Sequence, residues 1–326
     1  MNMKTKIAAV DRLDPSPYLI AHAGTLIKQG KLVAFPTETV YGLGADAMNP
    51  EAVRRIYEAK GRPSDNPLIL HVCYIAQAES LVFMNDLARK LALKFWPGPL
   101  TMVLPAKPEV PLITRGGLDT AAVRFPDNKI AQWLIYYANT PIAAPSANLS
   151  GKPSPTNAET VLADMNGRID MIIDGGSVKV GIESTVIDLT NPERVLLLRP
   201  GGLSREAIES ELHMTLEIPD SLSAKRSPGT HYRHYSPAIP VKIWHRESDF
   251  PECDYSSAGY IGIHKPIQAT KRVVLFSDYT DYAHGLFSAF RRLEKDGYTC
   301  IIAEWPEEIS GICEGLRDRI LRSAGD

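Results

Sequence analysis

The sequence predicts a mixed α/β fold in which a large twisted sheet is followed by a small Rossmann-like parallel α/β domain. Up to about residue 212, short apolar runs and amphipathic stretches follow one another without strict alternation, which favours a mixed sheet with some antiparallel pairs. Between residues 218 and 240 proline, serine and cationic residues dominate, as is typical of a linker. Beyond it, strands alternate with helical stretches, which indicates a parallel sheet. We expect domains at 1–216 and 240–326, joined by a linker at 217–239.

Composition restricts the class of protein. Of the 326 residues, 44% are hydrophobic and 23% are charged, as in ordinary globular proteins. The net charge of −2 gives no overall basic field, so tight nonspecific nucleic-acid binding is not expected. The 4 cysteines are scattered without a Cys-x-x-Cys pair, which argues against a disulfide framework or a structural zinc site. No apolar run approaches the roughly 18 residues of a membrane span, so we expect a cytoplasmic protein.

Capping residues and glycines locate the helices of the first domain. Ser16-Pro17 and Asn49-Pro50 each join an N-cap to a proline at the first helical position. Gly30 and Gly61 end these two helices. Further helices are predicted to begin near Asn85, Asp127, Asn157 and Ser204.

Apolar runs locate the strands. In the first domain they predict strands at Leu32–Phe35, Leu68–Val72, Leu100–Leu104, Thr120–Phe125, Pro141–Ala144, Met171–Ile173, Ser184–Leu189 and Arg194–Arg199. In the second domain they predict strands at Val241–His245, Tyr260–His264, Arg272–Ser277 and Thr299–Glu304. An amphipathic helix that Gly297 ends is predicted between the last two.

Lys60 and Arg62 stand at a helix end beside the rigid backbone of Pro63. Arginine can hold phosphate oxygens bidentately and lysine acts as a point charge, so the two residues could cradle a phosphate. They could equally complement the dipole at the helix C-terminus. The glycine-rich phosphate motifs are not matched, because Gly42-Leu43-Gly44 lacks its third glycine and Ser150-Gly151-Lys152 lacks its upstream one.

His71 and Arg124 each lie inside an apolar strand. A histidine there is often a hydrogen-bonded core residue, and it can also be a ligand-binding group. An arginine there must pair, bind a ligand or lie at an edge. A carboxylate or phosphate partner for Arg124 is therefore an open alternative at this stage.

Ser146 and Asn148 follow a buried strand, Ser184 begins a strand, and Arg199 ends one. The Ser-x-Asn loop can form an amide nest for an anion or an ordinary Asx or Ser turn. Each of these features is unremarkable alone. No Ser-His-Asp or Cys-His arrangement can be read from spacing, so covalent catalysis has no support.

Together, the segments KGRPSDNPLILHV, WPGPLT, AAVRFP, APSANLSG and LRPGG resemble the YrdC-like domain of the threonylcarbamoyl-AMP synthase family. The resemblance covers about Pro17 to Leu212, with the motifs in consistent order. The linker SPGTHYRHYSP and the second domain resemble the long, two-domain form of that family. The resemblance implies a YrdC-like mixed twisted sheet with helices around a cationic cleft.

The resemblance also implies an activity. The family condenses L-threonine, bicarbonate and ATP, with Mg²⁺ held mainly by ATP, into threonylcarbamoyl-adenylate and pyrophosphate. A separate threonylcarbamoyl transferase complex then modifies tRNA, which this chain would contact indirectly or weakly. On matching positions, the residues implied to bind threonine are Thr39, His71, Arg124 and Ser184. Those implied to line the ATP site are Lys60, Arg62, Asn66, Thr120, Ser146, Asn148, Ser154, Arg199 and Tyr235, the last as part of a closing linker.

The chemistry agrees with these roles. The threonine amine attacks CO2 or bicarbonate, and the carbamate oxygen then attacks the α-phosphorus of ATP, so no enzyme nucleophile is needed. Proximity and neutralisation of charge are needed, for which Lys60 and Arg62 are the candidate catalytic residues. Two alternatives stand beside this hypothesis. One is the YrdC-like domain of hydrogenase-maturation carbamoyltransferases, whose acylphosphatase and zinc-finger regions are missing here. The other is a non-catalytic RNA-binding module that uses a concave basic surface.

Overall fold

The computed structural model describes residues 4–219 and 235–325. These residues form a ten-stranded mixed sheet and a four-stranded sheet, each covered by helices. The strands of the large sheet are β1 (Lys6–Ala9), β2 (Val33–Pro36), β3 (Tyr41–Asp46), β4 (Ile69–His71), β5 (Leu100–Pro105), β6 (Thr120–Arg124), β7 (Ile142–Ala143), β8 (Met171–Asp174), β9 (Thr185–Asp188) and β10 (Leu196–Arg199). The helices around it are α1 (Pro17–Lys28), α2 (Pro50–Lys60), α3 (Ile75–Glu79), α4 (Asp86–Phe95), α5 (Lys129–Ala138), α6 (Ala158–Met165) and α7 (Arg205–Leu212).

The large sheet has the strand order β1-β8-β2-β3-β7-β4-β6-β5-β9-β10. It mixes parallel pairs, such as β4 with β6, and antiparallel pairs, such as β2 with β3. The small sheet contains β11 (Val241–Trp244), β12 (Ala258–Gly262), β13 (Arg272–Leu275) and β14 (Cys300–Glu304), in the order β11-β14-β12-β13, and its pairs are all parallel. The predicted fold class is therefore confirmed.

Helix α2 illustrates why these residues fold as they do. The Asn49 side chain accepts hydrogen bonds from the backbone N–H groups of Glu51 and Ala52, which caps the first turn. Gly61 ends the helix in the left-handed conformation, with φ of 62°, which glycine adopts at little cost. The helix therefore ends at a fixed point, and Lys60 and Arg62 are held beside it.

Four elements are absent from the sequence-based predictions: β1, β3, α3 and α9 (Ile312–Ala324). Strand β3 was not predicted because it contains two glycines, and glycine is unfavourable in strands. At Gly44 a side chain would lie 2.8 Å from the Phe35 ring and 2.9 Å from Ile142, so close packing of the neighbouring side chains requires the glycine. Helix α9 is rich in charged residues, yet it packs against α8 (Tyr279–Lys295).

Helices α8 and α9 lie between the two sheets and contact the first domain directly. Arg291 of α8 pairs with the buried carboxylate of Asp164, with Nη2 2.7 Å from Oδ2. His284 Nε2 donates to the Val178 carbonyl at 3.0 Å. Gly315 of α9 approaches the backbone of Gly201 so closely that a Cβ there would lie 3.0 Å from its Cα. None of the helices in the described ranges is long and apolar enough to cross a membrane.

Candidate active site

A pocket opens where the turn between β2 and β3, the end of β4, the loop after β7 and the junction of β9 with β10 converge. It brings together residues that are far apart in the sequence. Of the residues predicted to form the site, those on its wall are Arg62, His71, Arg124, Ser146, Ser184, Arg199 and Tyr235. Thr37 and Glu183, which were not predicted, also line it.

Arg124 occupies one side of this pocket, at the end of β6, and is almost fully buried. Its Nη2 donates to Thr39 Oγ1 at 2.9 Å and lies 2.8 Å from Glu38 Oε1. The requirement that a buried arginine must have a partner is thus met by Glu38. Sequence reasoning missed Glu38, although its position between Thr37 and Thr39, at a tight turn after an apolar strand, was a usable signal.

Thr39 is aimed at Arg124 by the local structure of the turn. Thr37 Oγ1 donates to the Val40 carbonyl at 2.6 Å and lies 2.9 Å from Thr39 Oγ1. The Thr39 backbone N–H donates in turn to Thr37 Oγ1 at 3.1 Å. These local bonds fix the shape of the turn, and the Glu38 carbonyl also accepts from the backbone N–H groups of Lys179 and Val180. Thr39 is itself fully buried, and it does not lie on the pocket wall.

His71 is the register partner of Arg124 in the parallel pair formed by β4 and β6, so the two residues are neighbours across the sheet. Its Nδ1 donates to the Ile69 carbonyl at 3.2 Å, and its ring meets Phe35 edge-on at 6.2 Å. Burial, together with the charge of Arg124, lowers the pKa of His71 to about 3. The imidazole is therefore neutral at neutral pH, and it is both a core residue and a wall of the pocket.

Lys60 supports the loop that follows β7. Its Nζ donates to the carbonyls of Ser146 and Asn148, at 2.6 Å each. Burial, and secondarily the charge of Arg62, lowers the pKa of Lys60 well below its ordinary value. Lys60 thus lies behind the loop and not on the pocket wall, and it holds the Ser146 backbone in place.

Arg62 faces the pocket from the residues after α2. Burial lowers its pKa to about 10, so the guanidinium remains charged at neutral pH. Its Nη2 lies 3.4 Å from the Pro67 carbonyl, and within the described residues its buried Nε has no hydrogen-bond partner. A buried donor of this kind is available to an anionic ligand.

The other predicted ATP-site residues are buried but do not line the pocket. Asn148 donates to the carbonyls of Leu149 and Lys152, at 2.7 and 2.8 Å, and so closes its own loop. Ser154 donates to Glu183. Asn66 and Thr120 lie beneath the wall, with exposures of 0% and 5%.

Ser184 and Arg199 form the opposite wall. Ser184 Oγ lies 2.8 Å from Thr101 Oγ1, and Arg199 Nη2 donates to the Ser184 carbonyl at 2.9 Å. Glu183 adjoins them and forms an ion pair with Arg319 of α9, with Nε 2.7 Å from Oε2. Burial alone would raise the pKa of Glu183, but Arg319 and Arg199 hold it below its ordinary value. Glu183 and Arg319 lie 136 positions apart, so no spacing pattern could reveal them.

Tyr235 covers the pocket beside the second domain. Its ring stacks on Phe287 at 5.4 Å, and the Arg319 guanidinium lies 5.1 Å above it. Burial raises the pKa of its phenol. The remainder of the predicted closing segment, residues 220–234, lies outside the described residues.

The arrangement is a buried cationic pocket with two chemically distinct sides. Arg124, which Thr39 supports from behind, and neutral His71 form one part of its wall, and Arg62, Arg199 and the Ser146 loop form another. Guanidinium groups in a desolvated site bind carboxylate and phosphate oxygens strongly. The cationic groups on this wall therefore suit a carboxylate and a phosphate ester bound next to each other.

Known proteins are similar to this chain in both of its domains. A family model described as "Telomere recombination" matches residues 25–201, and one described as "Threonylcarbamoyl-AMP synthase, C-terminal domain" matches residues 203–325. The threonylcarbamoyl-AMP synthase of Pyrococcus abyssi is 45% identical over 320 residues, which covers 93% of each chain. That of Bacillus subtilis is 42% identical over 347 residues, which covers 99% of each chain.

Solved structures agree with these matches. The crystal structure of P. abyssi Sua5 complexed with L-threonine superposes with a TM-score of 0.91 at 42% identity, and the match covers 98% of each chain. Escherichia coli YciO matches with a TM-score of 0.53 at 27% identity, over 60% of this chain and 95% of its own. The chain therefore belongs to the threonylcarbamoyl-AMP synthase family.

Proposed function

We propose that this chain is an L-threonylcarbamoyladenylate synthase, a nucleotidyltransferase that condenses L-threonine, bicarbonate and ATP into threonylcarbamoyl-AMP and pyrophosphate. The observation that supports it most is that Arg62, His71, Arg124 and Arg199 line the same pocket. Family membership supports it as well, and the P. abyssi relative was crystallised with L-threonine.

In this proposal, Arg124 holds the threonine carboxylate, with Thr39, His71 and Ser184 around the rest of the amino acid. The threonine nitrogen, as the free amine, attacks CO2 and releases a proton to water to become a carbamate, and with bicarbonate the same carbamate forms with loss of water. A carbamate oxygen then attacks the α-phosphorus of ATP, and pyrophosphate leaves. Arg62 and Arg199 neutralise the charge that develops on the phosphates.

Lys60 acts from behind the Ser146 loop. Because its ammonium holds the carbonyls of Ser146 and Asn148, the backbone and hydroxyl groups of that loop are fixed before ATP arrives. Such preorganisation avoids the cost of ordering the loop during the reaction. Burial of the pocket under Tyr235 would also protect the labile carbamate and mixed anhydride from water.

We propose that Mg²⁺ enters with ATP and is held by phosphate oxygens and water. Within residues 4–219 and 235–325, no group of three or more His, Cys, Asp or Glu side chains is arranged to hold a metal. The ion would supplement the positive charge that the arginines supply to the phosphates.

The product is a mixed anhydride, which must be consumed by a group-transfer reaction. We propose that a separate threonylcarbamoyl transferase complex in the cytoplasm uses it to modify tRNA, which this chain contacts indirectly or weakly. The alternative of an RNA-binding module is not favoured, because Lys60, Arg124 and Arg199 are buried, Arg62 is half-buried on the pocket wall, and these four residues do not form an exposed basic surface.

The test is whether pyrophosphate release depends on all three substrates. Purified protein should release pyrophosphate from MgATP only when L-threonine and bicarbonate are both present, and mass spectrometry should detect threonylcarbamoyl-AMP. Arg62→Met should abolish turnover, while Arg246→Met, on an arginine of the second domain outside the pocket wall, should behave as wild type. Pyrophosphate release at the same rate with and without threonine would refute the proposed synthase activity.

A further inference from the structure

We propose that Glu38 binds the ammonium group of the amino-acid substrate, and so selects a zwitterion over a simple carboxylate. This inference rests on the proposed function. It adds Glu38, which is not among the site residues predicted from the sequence. It starts from the buried ion pair of Glu38 and Arg124, in which each side chain keeps hydrogen-bonding capacity that the described residues do not fill.

The first is the carboxylate of Glu38. The side chain is 4% exposed, and its contact is the ion pair of Oε1 with Arg124 Nη2. Among the described residues, neither carboxylate oxygen has a partner in hydrogen-bond geometry. A buried carboxylate can accept about four hydrogen bonds, and leaving these unmade is costly. Glu38 therefore has one ionic partner, Arg124 Nη2, and further acceptor capacity that no side chain of the described residues fills.

The second is the guanidinium of Arg124. Its Nη2 is used by Glu38 and Thr39, while its Nε is buried without a hydrogen-bond partner in the described parts of the chain. Arg124 therefore retains one unused donor, and its ion-pair partner Glu38 retains unused acceptor capacity. An α-amino acid supplies both complements, because its carboxylate and its ammonium are joined through one carbon atom.

The charge of this side of the pocket also matches a zwitterion. Arg124 and Glu38 form an ion pair of opposite charges, and His71 beside them is neutral at neutral pH because burial depresses its pKa. An amino acid of zero net charge can enter without leaving an uncompensated charge in a buried site. A simple carboxylate would leave Glu38 without a donor, which is the penalty that produces selectivity at buried polar groups.

The alternative is that Glu38 only orients Arg124. The two roles differ in which ligand they affect. If Glu38 merely positions the guanidinium, its loss weakens every carboxylate ligand equally. If it binds the ammonium, its loss weakens threonine and leaves the analogue without an amino group, (R)-3-hydroxybutanoate, nearly unaffected.

The experiment measures the affinities of L-threonine and (R)-3-hydroxybutanoate by calorimetry and competition, for wild type and Glu38→Gln, without ATP. We expect wild type to prefer threonine by about tenfold or more, as for a charge-assisted bond in a desolvated site. We expect Glu38→Gln to lose that preference. Glu304→Gln, which alters a buried carboxylate of the second domain, serves as the matched control and should keep it.

Equal weakening of both ligands in Glu38→Gln, or unchanged threonine affinity, would overturn the inference. If Glu38→Gln does not fold, Glu38→Asp replaces it, and the shorter carboxylate should weaken threonine more than the analogue. Failure of wild type to bind threonine would count against the proposed function itself. Binding and turnover of threonine with an unchanged preference in the variant would count against Glu38 alone.

Discussion

The buried His71 side chain should make the stability of the first domain depend on pH in a way that one substitution removes. Its pKa is lowered from 6.5 to about 3 by burial and by Arg124. The unfolded chain therefore binds a proton below about pH 6.5 that the folded chain does not bind until about pH 3. Stability that is fully present above pH 6.5 is lost as the pH falls through this window.

The magnitude follows from linkage. Between pH 8 and pH 5 only the unfolded imidazole takes up a proton, so the free energy of unfolding falls by about 2 kcal/mol from this group alone. For a domain of this size, that loss corresponds to a decrease of about 4–8 °C in the thermal midpoint. Other groups also titrate in this range, so the informative quantity is the difference between wild type and a variant.

The assay compares wild type and His71→Gln by thermal and urea denaturation at pH 8, 6.5 and 5, followed by circular dichroism. His71→Gln is expected to be less stable at pH 8 and to lose about 2 kcal/mol less than wild type on going to pH 5. His22→Gln, which alters an exposed residue of α1, serves as the control. An identical pH dependence for wild type and His71→Gln would refute the reasoning.

Four further outcomes are expected. Lys60→Met removes the ammonium that holds two loop carbonyls, so ATP affinity measured by calorimetry should fall about tenfold or more while threonine still binds. Arg319→Met leaves the buried carboxylate of Glu183 without its ion pair and should cost about 3–5 kcal/mol in chemical denaturation. Gly201→Ala would place a Cβ into the backbone of Glu183, so stability and pyrophosphate release should both fall. Tyr235→Phe should reduce turnover while the first domain stays folded, and unchanged turnover would reduce this tyrosine to a packing role.

Much of the fold could be predicted from the sequence because its signals are local. The cap and stop of α2, at Asn49 and Gly61, are formed by residues within one turn of the helix end, and local chemistry of this kind can be read directly. Strand β3 was missed for the opposite reason. The need for Gly44 comes from Phe35 and Ile142, and these residues approach it only after the sheet has formed.

In the site, too, local features could be predicted from the sequence and long-range partners could not. That Arg124 must have a partner could be argued from its apolar strand, but the identity of the partner could not, because Glu38 reaches it across the sheet. Arg62, His71 and Arg199 were candidates from their sequence context and were given roles by the resemblance, and all three line the same pocket. Their assignment to particular substrates stays a prediction, as do the boundaries proposed for the two domains and the linker.

The acidic residues explain how so many cations can be buried in one pocket. Arg62, Arg124 and Arg199 would repel one another if each were isolated, and a buried unpaired charge costs several kcal/mol or more. Glu38 compensates Arg124 on one side, and Glu183 lies between Arg199 and Arg319 on the other. Because Arg319 belongs to α9, the charge balance beside Arg199 depends on the second domain. Loss of that domain should therefore remove the ion pair of Glu183, leave Arg199 as its nearby cation and disturb Ser154, which donates to Glu183, even though no residue of α9 lines the pocket.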